Sequence, residues 1–469
     1  MTGKVHKIIG ITAAVLCMAG SGSAFAGSAE MEELKQQMQR IILQNQELAR
    51  QNLELKERIS HIEQAMEAEE KTVAVEENPK TEEGKPWYSR VTIGGGATGI
   101  VQASADNGDN NPESGNVADA TMTFDLTLEA DLEKYGSFNV HLEGGDGEGM
   151  NNNVTSFSVP NYDAYATWNN ENQATLTVSE AFYRNTFWND QVEFNLGKMD
   201  LSVLFDGNKV AGDETTQFFS NIFVKSMGLT IPEPDEFYCP VTMVSVSPAD
   251  LLEFRIIGAA VDNEDGHTWD NIFTHDFVAA QVNFMPEFMD HQGNFRFYAW
   301  YDGRRHLNNE DLAAANDNPA RRYEDADSGQ NGWGLSFDQD VLEGLTAFAR
   351  YSWTRDDLSV WNGDENQWTM ISFNQVYSLG LGFSGLLWNR PDDGIGVAFG
   401  QTILTSDFEN FESAEGGSTA NEKYIETWYR YMFNRYLALS ADFQWIQNPG
   451  GLDNADDVYL FGVRSQINF

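Results

Sequence analysis

Cysteine is nearly missing from this chain: of 469 residues only Cys17 and Cys239 carry a thiol. Cys17 falls in an N-terminal segment expected to be removed, and a single remaining thiol cannot form an internal disulfide, so a disulfide-stapled secreted scaffold is excluded. Basic residues are scarce as well, 29 against 72 acidic ones for a formal charge of −43, which disfavours nucleic acid and anionic membrane surfaces as partners. The seven histidines form no metal-ligand pattern. Neither a Ser-His-Asp arrangement nor a phosphate-binding glycine loop stands out, so no enzyme, cofactor or metal centre is expected. The hydrophobic fraction is 41% and the mean hydropathy −0.43, values that would ordinarily indicate a soluble protein.

What is present begins with a three-part leader. Lys4 and Lys7 precede an apolar stretch, 8–19, and small residues close with Ala24-Phe25-Ala26. This is the pattern of a secretory signal, 1–26, too short for a membrane anchor. Ala14-Val15-Leu16 ahead of Cys17 does not suit a lipoprotein site. Cleavage takes 29 basic residues to 27 and the formal charge from −43 to −45.

The segment 27–71 is of another kind. Met31, Leu34, Met38, Ile41, Asn45, Leu48, Asn52, Leu55, Ile59, Ile62 and Met66 alternate in steps of three and four, without a proline or glycine between them. That spacing predicts a left-handed coiled coil, with Asn45 and Asn52 on the seam to fix register and strand number. A coiled coil needs further copies, so the stretch predicts an oligomer. From 72 to 86 the chain turns to Glu, Lys, Pro and Thr with little to bury, and reads as a linker.

From 87 to 469 the helical period disappears and short alternating segments take over. The last is the clearest: Tyr459, Phe461, Val463, Ile467 and Phe469 share one side, broken by Ser465, while Gly462, Arg464, Gln466 and Asn468 share the other. About ten residues with one apolar and one polar face, tilted near 45°, are enough to cross a bilayer as a strand. Sixteen such segments are expected, near 87–102, 120–132, 137–144, 174–183, 191–200, 237–246, 252–261, 276–285, 294–304, 332–338, 345–354, 376–387, 394–402, 424–433, 437–446 and 457–469. Tight turns at 133–136, 248–251, 341–344 and 434–435 alternate with long polar stretches at 145–173, 306–331, 355–375 and 406–422. Short turns on one side and long loops on the other are how an outer-membrane barrel is built, and a soluble sandwich gives no reason for that rhythm. The fold expected is therefore an all-β transmembrane barrel of about 16 antiparallel strands, preceded by a short N-terminal α-helical coiled coil. Its inward rows are rich in charge and amide, so the interior is expected to hold water rather than pack.

Two stretches resemble the carbohydrate-selective porin family of Gram-negative outer membranes. One is Glu426-Thr-Trp-Tyr-Arg-Tyr-Met-Phe-Asn-Arg-Tyr leading to Gln444-Trp-Ile-Gln-Asn-Pro-Gly-Gly451. The other is Gly197-Lys-Met-Asp200 with Phe205-Asp-Gly-Asn208 and the aromatic run ending at Phe223. The resemblance covers 87–469 and implies a sixteen-stranded trimeric barrel passing sugars and other small solutes, with the coiled coil as an addition.

Passive transport is tuned by radius, charge and groups that replace lost hydration. Sugars suit aromatic faces beside paired hydrogen-bonding charges. Arg296, Tyr298, Trp300, Asp302 and Arg304 share a polar face with that chemistry, as do Glu426, Trp428 and Arg430; Arg255, Arg350, Asp442 and Arg464 are further inward candidates. The competing reading pairs these residues across strands to stiffen the wall. For 206–225, carrying Phe218, Phe219 and Phe223, an inward constriction and a rim loop both stay open. The acidic groups 106–111 and 262–265 match no complete calcium loop and read as solvated. The functional expectation is an outer-membrane porin for small hydrophilic solutes, carbohydrates first. Alternatives are a general or cation-preferring pore, or an envelope tether whose periplasmic coiled coil touches the cell wall. The expected partners are a homotrimer of the chain, outer-membrane lipid and small sugars.

Overall fold

A computed structural model describes residues 87–105, 116–164, 175–228, 238–261, 276–288, 290–316, 326, 328–362 and 367–469. The signal segment 1–26, the heptad segment 27–71, the linker 72–86 and the acidic groups 106–111 and 262–265 lie outside these residues.

The alternation at the C-terminus makes strands, and the strands are β1 (Val91–Ala105), β2 (Ala118–Asp131), β3 (Ser137–Asp146), β4 (Thr175–Phe187), β5 (Val192–Asp200), β6 (Tyr238–Ala249), β7 (Leu252–Ala260), β8 (Asp276–Phe284), β9 (Glu287–Phe288), β10 (His291–Asn308), β11 (Ser328–Leu342), β12 (Leu345–Thr354), β13 (Leu358–Asn362), β14 (Gln367–Met370), β15 (Phe373–Ser384), β16 (Gly394–Leu404), β17 (Lys423–Asn434), β18 (Leu437–Gln447) and β19 (Val458–Asn468). Each barrel strand pairs antiparallel with its neighbour in sequence, β8 passing directly to β10 and β12 to β15. The ring closes where β1 pairs with β19, Val101 opposite Val463 and Ala105 opposite Tyr459. Sixteen strands thus form a closed barrel, one for each of the sixteen alternating segments, and β9, β13 and β14 stand outside it. No helix among the described residues is long and apolar enough to cross a membrane.

The period-two pattern decides which face each side chain takes. On β19, Phe461 and Val463 are 55% and 49% exposed on the outside, while Arg464 is 1% exposed inside. The same division holds on β10, where Phe295, Phe297 and Tyr301 face out and Tyr298, Trp300 and Asp302 are buried. With lipid outside, an apolar outer face is the stable arrangement, and closure leaves no strand edge with unpaired backbone groups.

Turn chemistry sets one end of the barrel. Glu133 at φ +59° and Gly136 at φ +89° tighten the β2–β3 turn; a Cβ on Gly136 would collide with the Arg184 carbonyl. Asn434 accepts from the backbone N–H groups of Tyr436 (2.8 Å) and Leu437 (3.2 Å), closing β17–β18. At the other end, the stretch 355–375, expected as a plain polar loop, contains the hairpin β13–β14. It pairs with the tip of β10 through Leu307 and Asn308, and Trp361 meets Trp368 edge-on at 5.5 Å. The loop before β17 holds a helix, Ser406–Ala414, whose first turn is capped by the Thr405 hydroxyl accepting from the Phe408 N–H at 3.2 Å.

The interior departs from the expectation that it only holds water. Two apolar clusters lie inside the ring, one around Phe218, Phe223, Phe348, Tyr424 and Trp428, the other around Phe205, Val241, Ile257, Phe277 and Trp300. The reason is that part of the inward row is itself apolar, and chain folds in from two loops to cover it.

Candidate functional site

The chain between β5 and β6 turns into the barrel. Asp200 caps the entry, its carboxylate accepting from the Ser202 N–H at 2.7 Å, and the segment 201–228 then follows the inner wall. Arg255 on β7 donates to the Leu204 carbonyl. The Asp206 N–H donates to Gln281 on β8 at 3.0 Å, and Ser336 on β11 donates to the Gly207 carbonyl at 2.9 Å. Arg350 on β12 donates to the Phe223 carbonyl (2.7 Å), to the Asp206 carbonyl (3.0 Å) and to the Asp206 carboxylate (3.2 Å). Glu426 on β17 accepts from the N–H groups of Phe219 (2.6 Å) and Ser220 (3.0 Å). Arg464 on β19 donates to the carbonyls of Glu214 (2.7 Å) and Gln217 (2.9 Å), with its guanidinium 4.2 Å from the centre of the Phe219 ring. Of the two readings of 206–225, the inward one fits: the stretch lies against the inner wall of the barrel rather than on its rim.

Its apolar residues explain why it stays there. Phe218 meets Phe348, Phe223 and Trp428 at ring distances of 5.7, 5.2 and 5.9 Å, and none of the Phe218, Phe219 and Phe223 rings reaches solvent. Fully burying each such ring contributes roughly 1.5–3 kcal/mol. The indole of Trp428 lies over Gly394 and Gly396 of β16, where a Cβ would intrude on it.

A second inward loop, 147–164, was not anticipated from the sequence. It crosses from β3 to the β17–β18 wall, with Met150, Ser158 and Asn161 fully buried. Gln102 and Gln444 both donate to the Pro160 carbonyl, at 3.3 and 2.9 Å. The two loops meet backbone to backbone: the Tyr162 N–H donates to the Phe219 carbonyl (2.8 Å) and the Asn221 N–H to the Val159 carbonyl (3.1 Å). The only earlier signal was its length.

The twelve candidate residues all lie on inward rows, but they do different things. Arg296 pairs with Asp338 at 2.6 Å. Tyr298 and Trp300 are covered, Tyr298 by Phe205 at 5.6 Å and Trp300 stacked on Phe277 at 6.1 Å. Asp302 and Arg304 pair with each other at 2.6 Å. Arg255 pairs with Glu253 at 3.0 Å, Arg430 donates to Gln466 at 3.0 Å, and Asp442 accepts from Gln444 at 3.0 Å. Arg350, Glu426 and Arg464 hold the inward loop 201–228, and Trp428 supports it. Trp428 also lines a cavity of about 500 Å³ on the short-turn side, beside Lys209, Gln217, Asp340 and Thr346.

The opposite wall carries a group that sequence reasoning missed. His141 lies 2.9 Å from Asp125 and 3.8 Å from Glu180, and Tyr238 donates to Glu143 at 2.5 Å. The acids come from β2, β3 and β4, so only the strand register brings them together. In the loops themselves, burial pushes Glu214 up to about 7 and raises Asp206, the latter opposed by the Arg350 guanidinium. Among the described residues, no group of three or more His, Cys, Asp or Glu could hold a metal ion.

Comparison with known proteins follows the same geometry. The family model described as "Carbohydrate-selective porin, OprB family" matches residues 115–469. The structure of Pseudomonas putida OprB is similar at a TM-score of 0.65 and 16% identity, over 81% of this chain and 94% of that one. Salmonella typhi OmpF is similar at a TM-score of 0.51 and 13% identity, over 80% of this chain and 97% of that one. No curated protein matches the sequence.

Proposed function

Because this chain belongs to the OprB family of carbohydrate-selective porins, channels for small solutes in the Gram-negative outer membrane, we propose that its two inward loops select carbohydrates by size and hydrogen bonding. The observation that carries this is the closed sixteen-strand barrel narrowed from within by 201–228 and 147–164. Sixteen strands leave an aqueous lumen, and what narrows it sets what passes. Diffusion down a gradient needs no catalytic group.

Within the lumen, Arg296, Trp428 and Arg430 are the candidates that meet solute. Trp428 supplies an apolar surface at the 500 Å³ cavity, with the Lys209–Asp340 pair as hydrogen-bonding partner. Tyr298, Trp300, Arg350 and Arg464 serve by holding the loops. In this reading the chain works as a homotrimer, with assembly directed by the heptad segment 27–71; a tether to the cell wall through that segment is the competing reading. Liposome swelling with a series of mono- to tetrasaccharides tests the sugar reading. Swelling rates that ignore sugar size would overturn it.

A second reading, preference for cations, has its own observation. The inward Arg255, Arg296, Arg304 and Arg350 each pair with a carboxylate, whereas among the described residues Asp125 and Glu180 pair with His141 and Glu143 accepts from the Tyr238 hydroxyl, with no arginine or lysine in an ion pair with any of the three. Reversal potentials in a planar bilayer under a salt gradient separate the two, because a neutral-sugar channel without charge preference gives a potential near zero.

A further inference from the structure

We propose that Glu422 is a positioning residue that holds the loop 147–164 in the lumen and so sets the aperture of the channel. This deepens the porin reading and rests on it.

Glu422 precedes β17 and is fully buried, yet its partners among the described residues are not cations. They are donors from two separate stretches. From the inward loop, the Ser156 hydroxyl donates to Oε1 at 2.9 Å and the Phe157 N–H to the same oxygen at 3.0 Å. From the turn after β18, the Gly450 N–H donates to Oε2. The carboxyl thus joins the loop to the segment Pro449-Gly450-Gly451, the most distinctive part of the chain's late motif.

That turn is built to present its N–H. Asn448, Gly450 and Gly451 have φ of +55°, +67° and +76°, and Asn448 donates back to the Asn421 carbonyl at 3.1 Å. A Cβ on Gly451 would sit 3.1 Å from the Phe157 ring, so the glycine also makes room for the loop's aromatic anchor. Two residues on, Tyr424 repeats the arrangement, its hydroxyl accepting from the Ser158 N–H at 3.0 Å.

The hold carries through to the other loop. The Ser158 hydroxyl lies 2.9 Å from the Ser220 hydroxyl and accepts from the Ile222 N–H at 2.9 Å. Glu422, Tyr424 and Glu426 are alternate residues on one inner row, so a single strand entry holds both narrowing segments. Loss of the Glu422 carboxyl leaves the half-buried N–H groups of Phe157 and Gly450 without this acceptor, which favours a released loop.

The test uses the full-length chain reconstituted in bilayers and liposomes, with Glu422→Ala, Glu422→Gln and Tyr424→Phe, and raffinose and stachyose as size probes. Heat-modifiable migration on gels reports whether each barrel is closed. Glu422→Ala is expected to raise single-channel conductance by about twofold or more and to admit stachyose faster. Glu422→Gln fills the same space but keeps only one acceptor oxygen and turns an NH2 towards the remaining donor, so it is expected to open the channel part of the way, whereas a merely space-filling side chain would leave Glu422→Gln at the wild-type size limit. Should Glu422→Ala fail to close, Tyr424→Phe carries the test, with a smaller increase expected. A closed Glu422→Ala or Tyr424→Phe barrel with unchanged conductance and size limit overturns the proposal. A wild-type protein that passes neither ions nor sugars overturns the porin reading instead.

Discussion

Replacing Arg350 by Met should loosen the constriction loop without opening the barrel. Arg350 and Asp206 have side chains only 2% exposed each, and the guanidinium is the cation that the Asp206 carboxylate meets. Breaking a buried pair from one side costs about 3–5 kcal/mol, because the remaining charge keeps its desolvation penalty without its partner. The Phe223 and Asp206 carbonyls each lose a donor as well. At 1.4 kcal/mol per factor of ten, the balance between seated and released loop moves by about 10² to 10⁴. Burial already holds the Asp206 carboxyl above its usual range, so without Arg350 it is driven further towards the neutral form. Hydrogen exchange reads the change directly: protection of the amides in 201–228 should fall by that factor while barrel-strand amides keep theirs. Single-channel records should show added open substates. Arg350→Met combined with Asp206→Asn should cost less than the two changes summed, with a coupling of about 0.5–3 kcal/mol. Unchanged protection in the loop, or strict additivity, would refute the argument.

Phe218→Ala removes a fully buried ring from between Phe348, Phe223 and Trp428, at a cost of about 3–5 kcal/mol, read as faster exchange in 201–228 with the barrel's gel migration unchanged. Neutralising the acidic wall with Asp125→Asn, Glu143→Gln and Glu180→Gln together should move the reversal potential towards zero; a cation preference that persists unchanged would locate its origin elsewhere. Loop seating should also depend on pH. Burial pushes Glu214 up to about 7 and Glu422 up to about 8, so the seated loops hold more protons than the released ones. Their contribution is full below about pH 4.5 and is lost as pH rises through 7 and 8. Exchange in both loops should therefore be slower at pH 5 than at pH 8.5 after correction for the intrinsic rate, and Glu214→Gln should remove the lower part of that slope.

The barrel was legible because lipid imposes a rule that acts residue by residue. Phe461, Val463 and Ile467 face out whatever their neighbours do, so alternation alone locates all sixteen strands within a few residues. No such rule governs the lumen. Tyr298 and Trp300 sit on the inward row beside Arg296 and Asp302, and their types suited a sugar as well as they suit Phe205 and Phe277. Tyr298 takes its partner from a loop about a hundred positions earlier and Trp300 takes its own from the neighbouring strand β8, and period-two reading gives no access to either choice. Glu422 was hidden for a related reason: it lies at the edge of the long stretch 406–422, and its acceptors' worth appears only when 147–164 comes inside. The acidic wall escaped because Asp125, His141 and Glu180 are spread over three strands, and only their register makes them one group.

The same division of labour bears on charge selectivity. Inward arginines would ordinarily oppose so large an acidic excess, but here four of the six candidate arginines sit against carboxylates. Arg350 faces Asp206, Arg296 faces Asp338, Arg304 faces Asp302, and Arg464 donates to loop carbonyls that form part of the constriction itself. A cation held by a carboxylate at 2.6 Å presents little net field to a passing ion. Glu426 and Glu422, which hold the loops through backbone N–H groups rather than cations, add nothing positive. Arg430, held by the Gln466 amide, and Arg464, held by carbonyls, keep their net charge, so the sign of the pore rests on how the acids of β2, β3 and β4 weigh against these two cations rather than on the whole count of carboxylates. Freeing one arginine tests that directly: Asp338→Asn releases Arg296 at the constriction and should shift the reversal potential towards anions, whereas Asp357→Asn on the exposed Arg355 pair should leave it where it was.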